Sequence, residues 1–204
     1  MTNHYDVIIA GGGAAGLYAA LNLPASLRVL LICKRELTLC NSALAQGGIA
    51  GVYDSPEDDV QLHKQDTLVA GGFKNNTETL SILVNEAAQD IGRIIDLGVE
   101  FDRNPDGSLH RTLEGGHSKH RIFHHKDATG FEIVSKLLQT VRTLPNVEIL
   151  GNTLLCGESE PGTVPPHRLQ QPAHPGMLPD FRSGTGRGGI PAECCGGAVH
   201  AAVR

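Results

Sequence analysis

No run of about 18 apolar residues occurs in this chain, which excludes an ordinary membrane-spanning helix. Positive charge is not in excess either: 17 Lys and Arg stand against 22 Asp and Glu, a net charge of −5. No basic stripe of the kind a nucleic-acid binder uses is present. The opening residues, Met1-Thr2-Asn3-His4-Tyr5-Asp6, lack the basic segment that begins a secretory signal. The five cysteines (Cys33, Cys40, Cys156, Cys194, Cys195) are odd in number and show no paired zinc-ribbon spacing. These absences point to a soluble, reduced, cytoplasmic protein whose partners are neither nucleic acid nor membrane. With 204 residues, 40% hydrophobic and 19% charged, the chain is long enough for one domain with a sizeable core and a fragment of another.

The first third alternates in character. Asp6 to Ala10 is a short apolar run suited to a buried parallel strand. Gly11 to Gly16 follows it, and Leu17 to Leu23 continues as a helix halted near Pro24. Arg28 to Cys33 reads as a second buried strand, completing a β-α-β unit of the length found in mononucleotide-binding halves. Ser55-Pro56-Glu57-Asp58 predicts an N-cap and an acidic first turn for a helix ending at Ala70, before Gly71-Gly72. A second helix is predicted over Thr77 to Leu97, with Leu80, Leu83, Val84, Ala87, Ile91, Ile94 and Ile95 on one face and Gly98 as its stop. Asn104-Pro105-Asp106-Gly107 is a turn signal. Asp127-Ala128-Thr129-Gly130 introduces a helix over Phe131 to Thr143, with Asp127 and Thr129 as caps, and Val147 to Leu150 reads as a returning strand.

Past Cys156 the character changes. Residues 157–204 hold seven of the eleven prolines, no lysine, and no sustained period. Three readings stay open for this Pro/Gly-rich, irregular C-terminal tail: a disordered segment, sequence produced by a shift of reading frame near residue 156, or a genuine functional tail.

Gly11-Gly12-Gly13-Ala14-Ala15-Gly16 satisfies G-x-G-x-x-G between a predicted strand and a predicted helix, the context that makes the motif informative. The glycines permit a tight turn, close approach of backbone to a pyrophosphate, and close packing of helix on strand. The acidic residue expected about 20 positions later for a ribose is missing. Cys33-Lys34 stands there, with Glu36 a poorer candidate just beyond, so a simple NAD-binding protein is disfavoured.

A second uncharged, small-residue stretch runs from Asn41 through Gly51 as NSALAQGGIAG. Taken in order, Asp6 to Gly16, Cys33-Lys34 and Asn41 to Gly48 resemble the flavin-binding half of the succinate dehydrogenase, fumarate reductase and L-aspartate oxidase group. Leu113-Glu114-Gly115-Gly116-His117-Ser118, Arg121-Ile122-Phe123-His124 and Asp127-Ala128-Thr129-Gly130 narrow the resemblance toward the L-aspartate oxidase family. It covers residues 4–156. It implies an α/β fold: a Rossmann-like FAD-binding domain over residues 1–156, a parallel sheet with flanking helices, incomplete at this length.

The resemblance also implies roles. Gly11, Gly12, Gly13, Ala14, Ala15, Gly16 and Lys34 would bind the cofactor's phosphate and adenosine end. Asn41, Ser42, Ala43, Leu44, Ala45, Gln46, Gly47 and Gly48 would lie along the flavin, the two glycines removing side chains where the ring approaches. In the succinate dehydrogenase and fumarate reductase branch, a histidine five residues before the glutamine is tethered to the flavin. Asn41 holds that place here, so FAD is expected to be non-covalent.

Histidines 110, 117, 120, 124 and 125 lie among Arg111, Lys119, Arg121 and Lys126, a basic loop suited to a dicarboxylate. Their spacing lacks the helix-face logic of a zinc site, so no metal is expected. The resemblance assigns Glu114 to the substrate, through its ammonium group, with His117 as a weaker companion. The implied reaction is FAD-dependent oxidation of L-aspartate to iminoaspartate in NAD biosynthesis, with oxygen or fumarate as acceptor and quinolinate synthase as pathway partner. The family's arginine base comes from a later part of the chain and has no counterpart here, so no catalytic residue is assigned. The expectation is a truncated, inactive fragment. Two alternatives stay open: a soluble fumarate reductase-like flavoprotein, and a non-catalytic dinucleotide-binding fragment.

Overall fold

In the computed structural model, residues 4–157, 167–170 and 198–200 are described. The elements run β1 (Val7–Ala10), α1 (Ala14–Asn22), β2 (Val29–Ile32), β3 (Ile49–Ala50), α2 (Val60–Ala70), α3 (Thr77–Asp96), β4 (Arg111–Thr112), β5 (Ile122–Phe123), α4 (Thr129–Val141), β6 (Val147–Leu150), β7 (Leu154–Gly157), β8 (His167–Gln170) and β9 (Ala198–His200). They fall into two units, Met1–Leu37 with Val141–Arg204, and Thr38–Thr140.

The first unit is built on a parallel sheet of order β1-β2-β6. Every residue of the central strand β2 is buried, which explains its unbroken Val-Leu-Leu-Ile sequence: both faces are covered and neither alternates with solvent. Val29 pairs with Val7 on one side and with Val147 on the other, so the returning strand predicted at 147–150 closes this sheet. Tyr5, Leu30 and Ile32 form a core cluster against which Ile8, Leu150 and Leu155 pack. The Tyr5 hydroxyl donates to the Glu148 carboxylate at 2.5 Å, giving the phenol a polar partner at the edge of that core. β7 pairs antiparallel with β8, and β8 with β9. Those two short strands are what is described within 167–200; the rest of the expectation for the tail lies outside the described residues.

The second unit carries α2, α3, α4 and a small antiparallel sheet of order β3-β5-β4. The start of α2 differs from the sequence reading. Asp59, not Ser55, is the N-cap, its carboxylate accepting from the Gln61 N–H, while Asp58 is drawn away by an ion pair described below. The glycine stop at Gly71 holds. On α3, Asn76 caps by accepting from the Thr79 N–H, and Leu80, Val84, Ile91 and Ile94 are buried. Leu83, placed on the same face, is 65% exposed. At about 100° per residue it falls at the margin of that stripe, roughly 60° from its centre. The Asn104–Gly107 turn forms as expected, with the Gly107 N–H on the Asn104 carbonyl at 2.9 Å and φ +86° at Gly107.

Candidate functional site

In the first unit, the glycine turn leads directly from β1 into α1. Gly11 has φ +123°, a conformation that strains any side chain, and its N–H donates to the Ile32 carbonyl at 2.8 Å. Gly16 is constrained differently: a Cβ there would run into the Gly11 carbonyl oxygen and lie 3.3 Å from Ile9 Cγ2. Helix and strand are therefore as close as two backbones can come. Gly13 is the N-cap of α1 in extended conformation, with no side-chain cap, and no acidic residue occupies the first turn. The positive end of the helix is thus left to an external anion. Cys33 is buried beneath this turn, its Sγ 3.4 Å from where a Gly12 Cβ would be, while Lys34 is exposed.

In the second unit, Asn41–Leu44 forms a turn, with the Ala43 and Leu44 amides donating to the Cys40 carbonyl. The start of α4 is docked against it. The Gly130 N–H donates to the Ala45 carbonyl at 3.0 Å, and a Cβ on Gly130 would strike the Ser42 carbonyl oxygen. Ala43 is buried, whereas Leu44, Ala45, Gln46 and Gly47 are exposed. The two glycines of the stretch separate in role. A Cβ on Gly47 meets nothing within 4 Å, so the space beside it is open. A Cβ on Gly48 would strike Ile122 Cγ2 and the Phe123 carbonyl oxygen, so the closeness of β5 demands that glycine.

The basic loop is less available than its composition implies. Arg121 is fully buried: its Nη2 and Nε meet both oxygens of Asp58 at 2.7 and 2.8 Å, and Nη1 meets Asp66 at 2.7 Å. It is consumed by two carboxylates and is not a substrate cation, contrary to the sequence reading. Burial works to raise the Asp58 carboxyl, but the Arg121 hydrogen bonds, the Asp59 amide and the nearby charge hold it below its ordinary value. Asp66 is lowered likewise: burial raises it, and the Ser118 amide and hydroxyl with Arg121 more than reverse that. His124 and His110 are also committed, the rings meeting nitrogen to nitrogen at 2.8 Å while His124 Nδ1 lies 3.2 Å from Asp102. His125 Nδ1 lies against the Glu100 carbonyl, and the Thr129 hydroxyl accepts from the His125 N–H, closing the preceding turn where a cap of α4 was expected. Lys126 and His120 are exposed; His120 and Lys119 line a cavity of about 250 Å³ with Ser55, Pro56, Glu57, Asp58 and Arg111, whose Nη1 donates to the Tyr53 and Asp54 carbonyls at 3.1 and 2.7 Å.

Glu114 is exposed on a turn closed by the His117 N–H on the Glu114 carbonyl at 3.2 Å, with φ +86° at Gly116. His117 faces His63 of α2, ring centroids 5.6 Å apart. The Nδ1 atom of each is buried without a partner among the described residues. Burial, then the Arg121 charge and then His117, push the His63 pKa below its ordinary 6.5. A histidine lowered in the folded state binds fewer protons there than when unfolded. Its contribution to stability is complete above about pH 6.5 and is lost as the pH falls through the depressed value. Urea midpoints measured from pH 7.5 to 5.5 should therefore decline, and decline less steeply in His63→Phe; equal slopes would exclude His63 as the group responsible. Among the described residues no cluster of three or more His, Cys, Asp or Glu is placed to hold a metal, and no helix is long and apolar enough to cross a membrane.

Residues 6–155 match the family described as an FAD binding domain. The chain belongs to this family. FAD is accordingly its cofactor, and the capless α1 terminus and the open space beside Gly47 are consistent with a pyrophosphate and a flat ring. Among curated relatives, the L-aspartate oxidase of Synechocystis sp. is 45% identical over 152 residues, 74% of this chain and 27% of that protein. That of Clostridium perfringens is 43% identical over 145 residues, 71% of this chain and 32% of the relative. That of Neisseria meningitidis is 36% identical over 216 residues, spanning 100% of this chain and 43% of the relative. The chain thus spans less than half the length of these relatives. Of solved structures, E. coli quinol fumarate reductase superposes with a TM-score of 0.72 at 26% identity, covering 76% of this chain and 27% of that one. A quinol-fumarate reductase with menaquinol superposes at 0.75 and 25%, covering 83% and 30%.

Proposed function

We propose that this chain provides the FAD-binding part of an L-aspartate oxidase, an oxidoreductase that converts L-aspartate to iminoaspartate for NAD biosynthesis. The observation that carries the reading is the exposed Glu114 carboxylate, held on a glycine turn inside a segment more than 40% identical to aspartate oxidases. Two electrons and two protons leave the substrate's carbon–nitrogen bond and reduce oxygen to hydrogen peroxide or fumarate to succinate. FAD, when bound, supplies the two-electron acceptor chemistry that no side chain has. The chain's own residues bind and orient. Gly11 to Gly16 offers backbone amides and the α1 dipole to the phosphates; Lys34 borders the adenosine; Asn41 to Gly48 backs the ring without a covalent link, because Asn41 has no nucleophile for one. Glu114 accepts hydrogen bonds from the substrate ammonium, and His117 lies beside it. The product's consumer is quinolinate synthase, in the cytoplasm.

The test is made on the purified chain with added FAD. Flavin fluorescence should be quenched on binding and FAD should be lost on denaturation without proteolysis. L-Aspartate should then perturb the flavin absorbance, and Glu114→Gln should shift that perturbation to much higher aspartate concentrations. As a truncated fragment the chain should release no peroxide with aspartate, and peroxide release would overturn that expectation. Flavin uptake with a response to fumarate and none to aspartate favours the fumarate reductase-like alternative, which the superpositions support. Flavin uptake with no response to either leaves a dinucleotide-binding module.

A further inference from the structure

One face of α2 grips the turn that carries Glu114. His63, Asp66 and Ala70 are three and then four residues apart on that helix and so share one stripe. Each meets a different residue of the turn. Ala70 Cβ lies 3.6 Å from where a Cβ on Gly116 would stand. The His63 ring packs on the His117 ring. Asp66 Oδ2 accepts from the Ser118 amide at 2.9 Å and from the Ser118 hydroxyl at 2.7 Å. That same oxygen receives Arg121 Nη1 at 2.7 Å, and Arg121 is held from its other side by both oxygens of Asp58. The turn has little else to order it. Glu114, Gly115, Gly116 and Ser118 are exposed, Leu113 is 50% exposed, and two adjacent glycines carry the largest backbone entropy of any pair.

We propose that Asp66 is a positioning residue: by holding Ser118 against α2 it fixes the Glu114–Ser118 turn and so aims the Glu114 carboxylate at the substrate's ammonium group. This rests on the reading of Glu114 as a substrate ligand. Arg121 has a defined part in it. By neutralising Asp66 it keeps an ionised carboxylate in place, and an ionised acceptor with three donors holds a loop more firmly than a neutral one.

The experiment uses the FAD-loaded chain and the variants Asp66→Asn, Ser118→Ala, Glu114→Gln and Ser118→Ala with Glu114→Gln. Amide exchange followed by mass spectrometry reads the peptide spanning 113–121, with peptides of α3 as the internal control. Titration with L-aspartate reads affinity. Asp66→Asn and Ser118→Ala should each speed exchange of the turn peptide and weaken L-aspartate binding by about tenfold, as loss of a charge-assisted bond would. The double variant should bind no worse than Glu114→Gln alone, because Asp66 acts through Glu114. Faster exchange with unchanged affinity overturns the proposal, and so do losses that multiply in the double variant. If Asp66→Asn speeds exchange everywhere, Ser118→Ala decides, since it leaves the Asp66–Arg121 pair intact. A wild-type chain that takes up flavin but no aspartate refutes the substrate reading and the positioning role with it. The exchange data still report on the clamp itself, so the two failures are told apart.

Discussion

Replacing Arg121 with methionine should destabilise the chain by about 3–5 kcal/mol, the usual consequence of stripping one partner from a buried ion pair. The guanidinium is fully buried, and the carboxylates it faces are 1% exposed at Asp58 and 13% exposed at Asp66. Methionine keeps much of the side-chain volume but leaves two acids, that of Asp58 buried and that of Asp66 largely covered, with no counter-charge. They then regain protons or water only by opening the structure. Urea denaturation at neutral pH reads the loss directly, and a shift below 1 kcal/mol would show the triad to be dispensable. The pH dependence gives a second check. Both carboxyls are held below their ordinary 3.8 in the folded chain, so the stability they contribute is complete above that value and is lost as the pH falls through the depressed ones. The variant should lose that acid dependence along with the stability. An Arg121→Met chain that still unfolds in acid with the wild-type profile would mean other carboxylates dominate.

Gly16→Ala should abolish FAD binding under conditions where the wild-type chain is saturated. The added methyl has no place to go: the Gly11 carbonyl oxygen and Ile9 Cγ2 occupy it. α1 must back away from β1, and the Gly11–Gly13 turn that aims amides at the pyrophosphate must open with it. Overpacking of this kind costs about 1–3 kcal/mol in stability, modest beside the loss of a preformed anion site. Gly47→Ala is the control. Its methyl meets nothing within 4 Å, so stability should stay within about 0.5 kcal/mol of wild type. Flavin fluorescence titration with urea midpoints on both variants separates ligand geometry from folding. Equal FAD affinity in Gly16→Ala and wild type would place the cofactor elsewhere.

What the sequence made legible was local and periodic. β1 and β2 are unbroken apolar runs, and β6 is interrupted only by Glu148; such runs need no knowledge of their neighbours to be read as strands. The glycine turn was legible because its spacing encodes a backbone shape. Gly71, Gly98 and Gly107 likewise marked stops and turns that the structure places where expected. The substrate side was harder because its charges pair over long separations. Arg121 reads as one cation among several until Asp58 and Asp66, 63 and 55 residues away, are seen to close on it. The cap of α2 is Asp59 rather than Ser55, and the same pairing engages the carboxylate of Asp58 beside it. His63 and Asp66 were passed over, although their spacing of three on one predicted helix was the signal available. Gly48 was marked for the approach of the ring; the closeness of β5, which by itself demands a glycine there, was not legible from the sequence.

The pairing of β2 with strands from both ends of the first unit has a consequence for biosynthesis. Val29 finds Val7 early in the emerging chain but meets Val147 only after the whole Thr38–Thr140 unit has been translated. For that interval the nascent chain carries an all-apolar strand with one edge bare, the template that sheet proteins otherwise cover or charge. The ribosome thus exposes a sticky edge while the intervening unit is free to fold by itself. Until Val147–Leu150 arrives and shuts the sheet, that edge is open to any other extended segment.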